Sequence, residues 1–268
     1  MTPEVWGPRR ASHEARVDRL TAGHLDRAAR GVKHPVEDFL FSYYTHRPAQ
    51  LRRWSPGAGV RLEGFEEPQP WLAEAPDRVA WIVELLAATA QRPPAFGCFG
   101  LHEWAMLYRP VHKDAHRHPV PLRLGEDGTA AVVEKQRLTC THHDAFRFFT
   151  PAARPHNTLQ PTREDQRRLE QPGCLHANMD LYKWAYKLQP WVPGELVVDC
   201  FELALRIREL DMRASPYDLR SLGYEPVAVE TAEGRAAYQA LQRGFAAEAA
   251  VLRERLLTAA RPLVRSEQ

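Results

Sequence analysis

The sequence predicts a mainly α protein (α+β): one helical domain over residues 1–268 with a small β element near residues 119–140. Three observations carry this. Apolar residues recur at spacings of three and four in several long segments, the pattern of a helix with one buried face. Only "VPLRLGEDGTAAVVEKQRLTC" (120–140) alternates apolar and polar residues as a strand does. The 22 prolines are spread along the chain and no repeat or low-complexity linker intervenes, so short, rigid connections and one compact domain are expected.

Taken in order, residues 11–30 read as a polar, Arg/Ala-rich helix. A second helix starts at Pro35, a favoured first-turn residue, with Val36, Phe39, Leu40 and Tyr43 on one face. "RPAQLRRW" (47–54) leads into a loop rich in Pro and Gly that runs to about residue 76. "DRVAWIVELLAATA" (77–90) is a helix buried through Val79, Ile82, Val83 and Leu86. After "FGCFG" (96–100) a helix begins around His102 and Glu103, with the acid in its first turn. Within the alternating stretch, Asp127-Gly128 signals a turn.

In "PTREDQRRLE" (161–170), Thr162 stands as N-cap with Asp165 three residues on, and the helix ends before Pro172-Gly173. "GCLHANMDLYKWAYK" (173–187) forms the next helix and stops ahead of Pro190. "GELVVDCFELALRIRELDM" (194–212) places Leu196, Cys200, Leu203, Ile207 and Leu210 on one face. Its opposite stripe, Glu195, Asp199, Glu202, Arg206 and Glu209, reads as solvated surface. Just beyond, Asp211 and Arg213 suggest an ion pair that fixes the turn before Pro216. A C-terminal helix over 231–261 buries Tyr238, Leu241, Phe245, Leu252 and Leu256.

Composition bounds the function. Apolar residues make up 44% and charged residues 26%, ordinary for a globular chain. No apolar stretch approaches the roughly 18–20 residues of a membrane span, and the N-terminus lacks an apolar signal core, so a cytoplasmic protein with no membrane partner is expected. Four widely spaced cysteines, Cys98, Cys140, Cys174 and Cys200, read as free thiols. Net charge is only +2, but 31 of the 36 basic residues are arginine, the side chain that forks onto phosphate and stacks on rings.

Three stretches concentrate chemistry. "FGCFGLHEWAMLY" (96–108) pairs glycines with a helix start and Glu103. "CTHHDAFRFFTPAARPHNTLQP" (140–161) sets His142, His143 and Asp144 before Phe146, Arg147, Phe148 and Phe149, and then adds Arg154, Asn157 and Gln160. Rings beside amides and guanidinium suit stacking a nucleobase and reading its edge, although a core strand running into a capped loop fits the same residues. In "GCLHANMDLYKWAYK", His176 and Asp180 are i,i+4 neighbours, Trp184 continues that face, and Asn178 shares a side with Leu181 and Tyr182. His142, Asp144, His176 and Asp180 could in principle hold a metal, but there is no HExxH, no repeated ExxH and no paired cysteines. No metal and no cofactor is therefore predicted. A GxSxG nucleophile, a P-loop and a dinucleotide glycine motif are all missing.

Long runs carry a resemblance: "KHPVEDFLFSYYTHRPAQLRRWSPGAGV", "FGCFGLHEWAMLYR", "HDAFRFFTPAARPHNTLQPTREDQRRLEQPGCLHANMDLYKWAYKL" and "LVVDCFELALRIRELDMRASPYDLRSLGYEPV". From about residue 12 the chain resembles a mainly actinobacterial family labelled 3-methyladenine DNA glycosylase. Where that family reads "SHFDAFRFF", this chain has "THHDAFRFF", so His142 and Asp144 match while His143 replaces an aromatic.

The resemblance implies a glycosylase that flips a modified base, alkylated or phage-type hypermodified, out of DNA and hydrolyses its N-glycosidic bond in repair or anti-phage defence. A carboxylate must stabilise an oxocarbenium-like sugar and orient water. Asp144 ranks first for that role, Asp180 second and Glu103 third. Base contacts are expected from Phe146, Phe149, Tyr182, Trp184, His142 and His176, with selectivity from Asn157 and Asn178. Phosphate contacts are expected from Arg47, Arg52, Arg53, Arg147, Arg154, Lys183 and Lys187. With only five lysines, a monofunctional enzyme using water is expected, acting as a monomer on DNA that contains a modified base. The alternatives are a metal-dependent enzyme on a small molecule and a non-catalytic nucleic-acid-binding protein.

Overall fold

The computed structural model describes residues 1–110 and 119–264. Among the described residues helix accounts for 58% and strand for 2%, which places the chain in the mainly α class. The helices are α1 (Pro3–Ala29), α2 (Phe39–Tyr43), α3 (Pro48–Leu51), α4 (Arg78–Gln91), α5 (Leu101–Ala105), α6 (Gly125–Lys135), α7 (His143–Phe146), α8 (Gln166–Leu169), α9 (Leu175–Lys187), α10 (Gly194–Arg213) and α11 (Ala232–Ala260). Among the described residues no helix is long and apolar enough to cross a membrane.

The chain divides into two compact units, both discontinuous in sequence. The first comprises Met1–Ala87, Met179–Leu205 and Ala249–Gln268; the second comprises Ala88–Asn178 and Arg206–Glu248.

The first unit is built on α1, which begins at Pro3 and not near residue 11. Pro3 fills a first-turn position whose N–H needs no partner, and Glu4 adds a favourable charge there. Leu40, Leu51, Leu181, Leu188, Val197 and Phe201 are buried in this unit. The acidic stripe of α10 is not free surface. Arg16 of α1 grips Asp199 and Glu202 at 2.8 Å each, Arg9 meets Glu195 at 2.9 Å, and Arg255 adds a contact to Asp199 at 2.7 Å. The helix expected from Pro35 is shorter than its pattern suggested. Asp38 accepts from the His34 N–H at 2.8 Å, so residues 35–38 form turns before α2.

The second unit has a core of Leu101, Trp104, Val133, Leu138, Phe149, Ile207, Tyr217 and Tyr238. The Trp104 Nε1 donates to Ala214 O at 2.8 Å. Gly100 starts α5 with a left-handed φ of 69°, and a Cβ there would stand 3.3 Å from the Tyr238 ring. Here the strand expectation is corrected. Residues 125–135 are helix α6, and β pairing over 119–140 is confined to the isolated bridges of Leu122 with Tyr217 and Leu138 with Asn157. Thr129, Val132 and Val133 are buried at i, i+3 and i+4, so the β-branched residues obey a helical period. Asp127 lies in the first turn of α6, not in a hairpin.

Several finer expectations also shift. On α11, Tyr238, Leu252 and Leu256 are buried, but Leu241 is exposed and Gln242 takes an inward position, donating to Gly173 O at 2.7 Å. At α8 the N-cap is Asp165, whose Oδ2 accepts from both the backbone and the hydroxyl of Thr162 at 3.1 Å. Arg213 pairs with Glu209 at 3.1 Å, whereas Asp211 faces Arg208.

Candidate functional site

A cleft of about 730 Å³ opens in the first unit, within the size range of small-molecule sites. The Pro/Gly-rich loop after α3 forms one side, and the C-terminal end of α9 forms another. The loop is folded by its own groups. The Gln69 amide accepts from the Leu62 N–H at 2.8 Å and donates to its carbonyl at 3.0 Å, and the Trp71 indole donates to Val60 O at 2.7 Å. This holds Trp54, Phe65 and Trp71 along the cleft, with Tyr186 of α9 as a further ring.

Charge is laid out around these rings. Arg10 of α1 lies over Phe65, 5.5 Å from its centroid, and binds Glu14 at 3.0 Å and Glu67 at 3.1 Å. Arg52 binds Glu14 from the other side at 3.1 Å and Asp18 at 2.8 Å. Glu14, a carboxylate on the cleft wall, is thus held between two guanidinium groups. Arg53 lines the cleft and is exposed.

His46 also lines the cleft although its side chain is buried, packed 4.6 Å from the Tyr186 ring. Its Nδ1 has no hydrogen-bond partner among the described residues. Burial pushes its pKa down to about 4, so the ring is neutral at pH 7. The linkage follows in sign. The unfolded histidine binds a proton near pH 6.5 and the folded one does not, so this contribution is complete above 6.5 and is lost as pH falls through 4. At most about 3 kcal/mol is at stake over that window. Urea unfolding between pH 7 and pH 4 should therefore show a steeper loss for the native chain than for His46→Gln; equal slopes would refute the assignment.

A second concentration of polar groups lies inside the second unit. Arg208 of α10 donates from Nη1 to Glu103 Oε1 at 2.8 Å and to Asp211 Oδ2 at 2.9 Å. His102 Nε2 stands 3.1 Å from Asp211 Oδ1, and the His102 and His176 rings meet edge to face with centroids 4.1 Å apart. Burial opposes charge on both members of the His102–Asp211 pair, yet their mutual attraction outweighs it, raising the histidine pKa and lowering that of the aspartate. Nearby, His142 Nε2 is 3.3 Å from Glu170 Oε1, both buried.

The structure disperses most of the residues singled out from sequence. Of these, the cleft gathers Arg52 and Arg53, and none of the three ranked carboxylates lines it. Asp180 is buried in the first unit, where Tyr44 donates to it at 2.7 Å and the Lys183 ammonium pairs with it. That contact turns Lys183 inward. Trp184 is buried against Trp81, centroids 5.4 Å apart, and Lys187 covers its face. Tyr182 is fully buried. Arg47 is exposed and starts α3.

In the second unit, Glu103 is held by Arg208. Asp144 is half-buried, 3.4 Å from Arg147, which itself lies over Phe148. Phe146 and Phe149 pack on each other in the core at 5.0 Å. Arg154 is exposed. The Asn157 amide is engaged by backbone, donating to Cys140 O at 2.9 Å and accepting from its N–H at 2.7 Å. Asn178 is buried and donates to Pro172 O at 3.0 Å, pinning the start of α9. Both amides therefore have partners in the scaffold.

Sequence reasoning missed His46, Trp54, Phe65, Trp71 and Tyr186 in the cleft, and His102, Arg208 and Asp211 in the buried cluster. The density of aromatics around "RRW" and "GFEEPQPW" was the available signal for the cleft. Comparison with family models, curated proteins and solved structures returns no match for this chain.

Proposed function

We propose that the protein is a cytoplasmic, monofunctional DNA glycosylase that hydrolyses the N-glycosidic bond of a modified base, in repair or anti-phage defence, with the cleft of the first unit receiving the flipped base. The observation that carries this reading is the composition of the cleft walls: rings for stacking, arginines for phosphate, and one half-buried carboxylate together. The resemblance noted from sequence supplies the reaction class.

Tyr186 and Phe65 offer faces on which a base stacks, a contact worth about 1–3 kcal/mol and tolerant of base identity. Neutral His46 and Gln50 supply hydrogen-bonding groups for the base edge, which discriminate more strongly because a wrong partner leaves them unmatched. Arg52 and Arg53 take the flanking phosphates. A phosphate that draws Arg52 away frees one Glu14 oxygen toward the sugar while Arg10 keeps the other, and the freed carboxylate oxygen stabilises the oxocarbenium-like transition state and orients water. Among the described residues lining the cleft there is no lysine to act as an amine nucleophile, in keeping with hydrolysis by water.

The test is release of free base from alkylated and hypermodified DNA, read by mass spectrometry. Glu14→Gln should cut release by about 10²–10⁴-fold while DNA binding persists. The double variant Arg52→Ala, Arg53→Ala should weaken binding to all sequences and lower the salt slope by roughly 2. No base release from any such DNA, or full release by Glu14→Gln, would sink the reading.

A further inference from the structure

We propose that His102, His176 and Asp211 form a binding site for a divalent transition-metal ion inside the second unit, of the class that takes zinc or ferrous iron. This is independent of the base cleft and of its chemistry. The three residues come from the start of α5, the start of α9 and the end of α10, and one ligand atom from each lies within 4.8 Å of the others. Imidazole nitrogens and a carboxylate oxygen bound to one such ion at about 2.0–2.2 Å fall about 3–3.5 Å apart. The measured His102 Nε2–Asp211 Oδ1 separation is 3.1 Å.

Direction argues as strongly as distance. At 3.1 Å the pair is close enough for a hydrogen bond, yet neither His102 ring nitrogen nor Asp211 Oδ1 has a well-aligned one among the described residues. A ring N–H would have to point along the N···O line to join them. A shared ion lies on the nitrogen lone pair and off that line, so two ligands can stand close without facing each other. All three polar atoms are buried, and leaving such atoms unmatched is costly.

Charge points the same way. Glu103 and Asp211 bring two negative charges into the interior, and Arg208 returns one positive charge. One more cation is needed. A proton on His102 would supply it as well, with His176 4.1 Å away between ring centroids, so metal content separates the two sources. A divalent ion uses both imidazoles as neutral donors. Arg208 then acts from behind, fixing the Asp211 oxygen that the ion does not take, as outer hydrogen bonds do in metal sites. His176 is only half-buried and gives the ion a way in. The Cys98 thiol interacts with the His102 side chain and is also half-buried, which places a softer donor at hand for a further position.

The experiment uses the full chain. Metal content is measured by mass spectrometry on protein purified without chelator, and chelated protein is then titrated with Co²⁺, whose visible absorption reports its ligands. One ion per chain is expected, with cobalt bands that grow to one equivalent. His176→Ala should weaken Co²⁺ binding by at least about tenfold, while His156→Ala, outside the cluster, leaves it unchanged. Circular dichroism on each variant establishes that it is folded, and Co²⁺ should raise the melting temperature of the native chain but not of folded His176→Ala. Should His176→Ala not fold, Cys98→Ser and His102→Gln titrations replace it, and altered cobalt bands in either variant count as support. Native protein that takes up no stoichiometric metal or Co²⁺, or variants that bind Co²⁺ as the native chain does, would overturn the site.

Discussion

Replacing Arg208 with methionine is expected to lower folding stability by about 3–5 kcal/mol, the scale for a buried ion pair that loses one partner. Arg208 is 1% exposed, and one of its nitrogens holds both Glu103, at 2.8 Å, and Asp211, at 2.9 Å. Methionine fills much of the volume, so the loss comes from two carboxylates left buried without that counter-charge. The double variant Arg208→Met, Glu103→Met should recover most of it, because removing both members of a buried pair costs far less than removing one. Asp211 still has His102 beside it in that background. Urea unfolding of the native chain and both variants gives the comparison. A loss under about 1 kcal/mol for Arg208→Met, or a double variant no better than the single, would show that the network does not carry this weight. The same contacts give Glu103 a structural role in the second unit.

What the sequence disclosed and what it concealed divide along a physical line. Periodicity reports which side of an element faces inward. It therefore located α10, where Leu196, Cys200, Leu203, Ile207 and Leu210 are all buried as their spacing implies. It failed at α6, where β-branched Val132 and Val133 satisfy both a helical and an alternating pattern, and tertiary packing chose the helix. Periodicity does not report what a buried polar group meets. Asp180 finds Tyr44 across 136 residues, and Glu103 finds Arg208 across 105. The dense polar and aromatic run "GCLHANMDLYKWAYK" was thus a sound sign of buried polar contacts, while the partners that make Asp180 and Asn178 structural lie outside it. The cleft was half legible. Arg52 and Arg53 stood out as a basic pair, but Trp54, Phe65 and Trp71 sit in a loop with no period, brought together by bonds such as Gln69 to Leu62.

Asp180→Ala is expected to destabilise the protein by about 3–5 kcal/mol, and Asp180→Asn by less. Asp180 is 1% exposed; its Oδ1 accepts from the Tyr44 hydroxyl at 2.7 Å and its Oδ2 pairs with the buried Lys183 ammonium. Burial, with the Asp180 charge next, raises the Tyr44 pKa well above its ordinary value, so the phenol stays a donor throughout the working range. Alanine removes the acceptor and the counter-charge together, leaving a buried hydroxyl and a buried ammonium without this partner. Asparagine keeps an oxygen for Tyr44 but no longer balances Lys183. Stability and activity must be read on the same variants, because a structural anion and a catalytic one both lower apparent activity when the protein unfolds. At low temperature, where circular dichroism shows Asp180→Asn folded, its base release per folded molecule should stay within about threefold of the native rate. A catalytic carboxylate would instead lose about 10²–10⁴-fold under those same conditions. That larger loss in a folded Asn variant would return Asp180 to the reaction and move the base site away from the cleft that Glu14 lines.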